Sequence, residues 1–130
     1  MSWMTLADEA ERYLKMLSGE HDDPVPRECL VCYLARMVET HECDHTLRWA
    51  QRFRDRRSPR ATGLERRLTD RGWACDCEIV RDGYRLSRHL LVRDLATDEL
   101  EAPPEAPLCD GVGHTSTHPC ANWERRPAGA

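Results

Sequence analysis

The chain has 130 residues, of which 40% are hydrophobic and 32% charged, with a net charge of −4 and a mean hydropathy of −0.71. These values bound it to one domain with a thin apolar core, of the kind that recruits a metal or disulfides for stability. No run approaches the ~20 apolar residues of a membrane span. The opening "MSWMTLADEAERYLKML" has early acids and no apolar core of a signal peptide, so the expected setting is a reducing cytoplasm with no membrane partner.

In chain order, residues 5–18 read as a first helix. Leu6, Tyr13, Leu14 and Leu17 form its stripe, Thr5 caps it and Gly19 closes it. "EHDDPVP" at 20–26 is a turn-rich linker. A second helix is expected from Pro26 to about Glu39, burying Leu30, Tyr33, Leu34, Met37 and Val38. A third starts behind Asp44, read as its N-cap, with Leu47, Ala50 and Phe53 inward. It stops at Ser58-Pro59, because the residue before proline avoids helical geometry. A short fourth helix begins at Thr62, buries Leu64 and Leu68 and ends at Gly72.

"CEIV" and "YRLS" then read as strands flanking "RDG", whose Asp-Gly is a hairpin signal, and "HLLVRDL" as a further strand. "EAPPEAP" at 101–107 is an extended spacer. The tail beyond it has no periodicity, only metal-ligand residue types and one tryptophan. The expected architecture is α+β: about four helices, then a small β-hairpin or three-strand antiparallel sheet, stapled by structural zinc. Residues 1–100 would form the zinc-binding domain, and 101–130 a Pro-rich spacer and Cys/His-containing tail folded back by metal.

The chemistry lies in the cysteines. There are seven, an odd number that a disulfide framework cannot use up, and in a reducing compartment clustered cysteines are metal ligands or redox groups. With His45 they make two sets of four, the number a tetrahedral zinc takes. Spacing groups Cys43, His45, Cys75 and Cys77 as one site, and Cys29, Cys32, Cys109 and Cys120 as an all-thiolate second, for one or two zinc ions. A Cys-x-Cys pair on one ion needs a bend, since side chains two apart in a strand stand parallel. Three other histidines compete. His41 can replace His45, and a tail site Cys109–His114–His118–Cys120 can form without the helix cysteines.

Around "CDHTLRWAQRF" and "GWACDCEIV", roughly residues 43–80, the chain resembles an uncharacterised family of small bacterial proteins common in high-GC genomes, a domain of unknown function. The family pattern is Cys-Asp-His-Thr-Leu-Arg, then Cys-Asp-Cys-Glu-Val; here Ile79 stands in place of the valine. "RECLVC" and "PCANWERR" resemble longer members. The resemblance implies the grouping of three cysteines with one histidine and implies no activity.

Enzyme motifs are missing. "PRECLVC" has deaminase-like cysteine spacing, but no His-x-Glu precedes it, and no HExxH, phosphate loop or serine elbow is present. No catalytic residue is assigned. The expected role is a non-enzymatic regulatory or interaction module whose partner is another protein. Two alternatives stay open. Cys29 and Cys32 at a helix start suit a redox-responsive zinc switch. Between Arg48 and Arg71 nine arginines face three acids, so Arg48, Arg52, Arg56, Arg57 and Arg60 are candidates for binding nucleic acid or another anionic partner.

Overall fold

The computed structural model describes residues 22–127; the helix expected over 5–18 lies outside them. The fold is α+β. Four helices run α1 Leu30–Thr40, α2 Arg48–Arg57, α3 Leu64–Asp70 and α4 Asp76–Glu78, among the described residues. Four short strands follow: β1 Tyr84–Leu86, β2 Val92–Arg93, β3 Leu100–Glu101 and β4 Trp123–Arg125. They make two antiparallel pairs, β1 with β4 and β2 with β3. Among the described residues no helix is long and apolar enough to cross a membrane.

The core forms where α1 crosses α2. Leu30, Tyr33, Leu34 and Met37 of α1 are buried, as are Ala50 and Phe53 of α2. Tyr33 meets Trp49 edge-on at 6.4 Å and Phe53 at 5.8 Å, the geometry aromatic pairs favour. Leu64 and Leu68 close the core from α3. Gly72 follows α3 at φ +90°, the left-handed position that ends helices and favours glycine.

Three expected helix starts move, that of α3 from Thr62 to Leu64. α1 starts at Leu30, not Pro26, because a turn at 25–28 precedes it, closed by the Glu28 N–H to the Val25 carbonyl. Its N-cap is Cys29, whose sulfur accepts the Cys32 N–H at 3.3 Å. α2 starts at Arg48, with Leu47 at the cap position making no side-chain bond. Asp44 is not its cap. Its carboxylate accepts the Thr46 N–H instead, in a local turn that places His45 at φ +65°.

The N-cap of α2 comes from far along the chain. Asp76 accepts the Trp49 N–H at 2.9 Å and the Ala50 N–H at 3.0 Å, and its own N–H donates to the Thr46 carbonyl at 3.1 Å. Two of the unpaired donors at the helix start are thereby satisfied. Asp76 is 1% exposed. Burial pushes its carboxyl up to about 6, against the pull of the two N–H groups.

The predicted hairpin at "CEIV…RDG…YRLS" does not form. Residues 76–78 are helical and run into a wide turn over Ile79–Gly83, in which the Tyr84 N–H reaches back to the Ile79 carbonyl. Cys75 caps the start with extended backbone, and Glu78 reaches back to accept the Ala74 N–H at 2.8 Å. Gly83 is needed where it stands: a Cβ there would lie 2.6 Å from Cζ2 of Trp73. Tyr84–Leu86 is indeed a strand, but its partner is the tail, with Tyr84 opposite Arg125 and Leu86 opposite Trp123. Part of "HLLVRDL" is also a strand, pairing Val92 with Glu101.

A second long-range tie comes from Arg57 at the end of α2. It is 3% exposed, and its guanidinium donates to the carbonyls of Val25, Glu28 and His114. Ser58 adds a bond to the Thr115 carbonyl at 2.7 Å. One residue pair thus fastens the segment before α1 and the tail to the same helix end.

Replacing Asp76 with alanine is expected to lower the unfolding free energy by about 2–3 kcal/mol, since two buried N–H groups lose their acceptor. Asp76→Asn keeps one acceptor and should lose about half as much; urea titration of both variants measures the difference. Gly83→Ala should cost about 1–3 kcal/mol through overpacking against Trp73, read from the same curves.

Candidate metal centres

All seven cysteines fall among the described residues and all are free thiols. The fold gathers six of them, with His45, into two sets of possible metal donors. Cys29, Cys32, Cys109 and Cys120 have sulfurs all within 4.8 Å of one another, and so do the donor atoms of Cys43, His45 and Cys75. The seventh, Cys77, adjoins the second set, with its sulfur 3.1 Å from that of Cys75. Such groups of thiols with one imidazole can hold a metal ion.

The four-cysteine set is built from three segments. The N-terminus of α1 supplies Cys29 and Cys32, three residues apart on one face. The loop after the Pro-rich segment supplies Cys109, and the turn before β4 supplies Cys120. Val112 donates to the Arg27 carbonyl at 2.9 Å and Asn122 to the Leu108 carbonyl at 2.7 Å, so the loops are held by bonds outside the cluster as well. Cys29 and Cys120 are 0% and 5% exposed.

Nitrogen donors point at these sulfurs. Cys29 N–H and Gly111 N–H both donate to Cys109 at 3.3 Å, Cys32 N–H donates to Cys29, and the Trp123 indole N–H donates to Cys32 at 3.2 Å. Gly111 lies at φ +91°, with the Arg27 guanidinium 3.3 Å from where a Cβ would stand. Each donor stabilises thiolate over thiol. Hydrogen bonds from Cys32 pull Cys29 down to about 5, against the effect of burial. Cys32 is pushed up, because it donates to Cys29 and burial disfavours a second negative charge beside the first. Burial also raises Cys120. By itself the cluster holds one negative charge readily and resists more. A bound cation reverses that balance and makes every sulfur a thiolate.

The second set lies where the turn before α2 meets the start of α4. His45 is exposed, and Cys43 and Cys77 are half-buried. The His45 N–H donates to the Cys43 sulfur at 3.4 Å. Cys77 is pushed up to about 12, first by its hydrogen bond to Cys75 and then by burial. Cys43 is lowered: burial opposes this, but the hydrogen bonds from Cys77 outweigh it. The bend that a Cys-x-Cys pair requires is the step from extended backbone at Cys75 into helix at Asp76. Asp76, between the two cysteines, is the residue that caps α2.

The competing histidines lie elsewhere. His41 is 3.0 Å from the Asp22 carboxylate and stacks on Trp49 at 4.9 Å between centroids. His114 and His118 belong to neither set. The arginine candidates are mostly paired. Arg52 and Arg56 share Asp23, at 2.7 and 3.2 Å, and Arg48 is 3.8 Å from Asp44. Arg57 is buried and belongs to no exposed stripe. Arg60 is exposed. Sequence reasoning missed Trp123 and Gly111 as groups that serve the sulfurs. Their proximity to cysteines at 109 and 120 was the available signal.

A groove of about 530 Å³ opens beside the four-cysteine cluster, between α1 and the segment Ala102–Leu108, with Cys32 and Cys109 in its wall.

A family model described as "Protein of unknown function (DUF2695)" matches residues 30–82. The match runs from α1 through the turn after α4 and contains both the Cys43–His45 and Cys75–Cys77 motifs. It stops short of Cys109 and Cys120. No curated protein and no solved structure matches the chain.

Trp123→Phe removes the indole donor while nearly keeping the ring's volume. Metal uptake at the four-cysteine cluster, followed with Co²⁺ by its thiolate charge-transfer absorption, is expected to weaken by about tenfold. Uptake at the other cluster should not change.

Proposed function

We propose that this chain is a non-enzymatic zinc-binding module of a reducing, cytoplasmic setting, holding two structural zinc ions and acting through contacts with another protein. One ion is held by Cys29, Cys32, Cys109 and Cys120, the other by Cys43, His45, Cys75 and Cys77. The observation that carries this reading is the convergence of sulfurs separated by up to 91 residues in the chain (29 to 120) onto one point. Tetrahedral zinc with Zn–S of about 2.3 Å has S···S edges of about 3.8 Å, and Cys32 and Cys120 are 3.8 Å apart. Soft thiolate and imidazole donors favour zinc over the hard cations magnesium and calcium.

The structural role follows from what the donors join. The first ion ties the tail to α1, and the second ties the start of α2 to the start of α4. Small-peptide zinc sites contribute an apparent ~10–16 kcal/mol near neutral pH, as much as the ~5–15 kcal/mol net stability of a whole domain. Of the acids beside the second set, Glu42 is exposed, and Asp44 holds the Thr46 turn. Asp76 caps α2, and Glu78 accepts the Ala74 N–H, which favours a structural ion over a catalytic one. The pairing of Arg48, Arg52 and Arg56 with acids likewise favours a protein partner over nucleic acid.

Native mass spectrometry of the purified chain is expected to find two zinc ions. Cys77→Ser and Cys120→Ser should each lose one. Strong chelator should unfold the protein, seen as loss of helical circular dichroism, and re-added zinc should restore it. A folded chain with no bound ion would overturn the reading.

A further inference from the structure

The two clusters differ in ways that bear on reaction with oxidants, and the difference deepens the two-zinc reading, on which it rests. In the four-cysteine set Cys29 and Cys120 are nearly inaccessible, Cys32 and Cys109 are half-buried beside the groove, and four N–H groups donate to its sulfurs. A thiolate that accepts N–H bonds offers its lone pairs less readily to an electrophile. In the Cys43 set, two backbone N–H groups bear on a sulfur, that of His45 at 3.4 Å and that of Cys77, both on Cys43. Cys43 and His45 sit on a surface turn where Glu42, Asp44, His45 and Thr46 are all exposed; Cys43 and Cys77 are half-buried and Cys75 is buried. The four-thiolate set has the greater charge, which raises nucleophilicity. Its covering and its N–H donors act against that charge.

We propose that the Cys43–Cys75–Cys77 cluster is an oxidative modification site, the one of the two metal sites that hydrogen peroxide attacks first. The Cys77 thiolate displaces hydroxide from the peroxide O–O bond and becomes a sulfenic acid. The sulfur of Cys75, 3.1 Å away, or that of Cys43 across the cluster, then attacks the oxidised sulfur. An S–S bond forms and a second hydroxide leaves. Two thiolates have lost two electrons in all, peroxide has gained them, and two protons from solvent complete two waters. One thiolate and His45 remain, too few to retain Zn²⁺, and the ion leaves.

The structural consequence runs through Asp76. It lies between Cys75 and Cys77 and caps α2 through the Trp49 and Ala50 N–H groups. Rearranging either cysteine shifts the cap, so the oxidation state of the cluster is communicated to the N-terminus of α2. This places the redox-sensitive group away from Cys29 and Cys32, where the sequence pattern suggests it.

The test is a peroxide titration of the zinc-loaded full chain. Zinc per chain is counted by native mass spectrometry, and the modified cysteines are mapped by digestion without reduction. The count before peroxide tests the metal reading by itself: no zinc overturns that reading and this inference together. With two zinc ions at the start, the expected result is loss of one ion with a disulfide joining two of Cys43, Cys75 and Cys77, while Cys29, Cys32, Cys109 and Cys120 stay reduced. Amide exchange at Trp49 and Ala50 should accelerate by tenfold or more at that point, and thiol reductant with zinc should reverse it. First modification at Cys32 or Cys109, reached through the neighbouring groove, would overturn the inference and leave the two-zinc reading intact. So would simultaneous loss of both ions. Mapping on the unmutated chain makes the result independent of whether any cysteine variant folds.

Discussion

The carboxylate of Asp76 fixes how the halves of this small fold meet. Without it, α2 begins with donors facing the interior and no acceptor. With it, the start of α2, the turn carrying Cys43 and His45, and the start of α4 are brought to one place. Burying that carboxylate disfavours its charged form and pushes its pKa up. The two N–H bonds make the position tolerable and specific. A residue two places away in either direction would point elsewhere, so the register of Cys75 and Cys77 against Cys43 follows from the cap.

Arg57 plays the corresponding part at the other end of α2. Its guanidinium is surrounded by carbonyls, which satisfy a buried cation less completely than a carboxylate would. Holding it there aligns the segment leading into Cys29 with the tail leading to Cys120. Each end of α2 is therefore fastened by a buried charged side chain, and each fastening lies beside a cysteine cluster. The thin core between α1 and α2 is stiffened where apolar contact alone would leave the chain loose.

The clusters are alike in chemistry and different in setting. One has two of its four cysteines buried, with backbone and indole N–H groups aimed at its sulfurs. The other is on a surface turn whose strained residue, His45 at φ +65°, is itself a candidate ligand. Left-handed backbone is unfavourable for most residues, though histidine is among those found there more often. Here the turn is held by Asp44 and its bonds to Thr46. A closed site suits permanent structure, and an open one suits exchange.

Much of the local pattern was readable from the residues. Helical spacing identified the buried faces of α1, α2 and α3, and Ser58-Pro59 and Gly72 marked two ends, because these signals act within a few residues. The division of the cysteines into two neighbourhoods was also legible, since ligand-type residues in pairs have little other use in so polar a chain. The strand reading of "CEIV" failed because its apolar residues fit either period. The deciding signals, Asp76 and Glu78 in a first helical turn, were outweighed by the Asp-Gly that follows. What only the tertiary structure decided was every partnership across long separation: Asp76 with α2, Arg57 with three carbonyls, β1 with the tail strand, Trp123 with Cys32. The reason is physical. A backbone N–H or carbonyl exists at every residue, so composition and spacing cannot say which one a distant side chain will find until packing has brought them together.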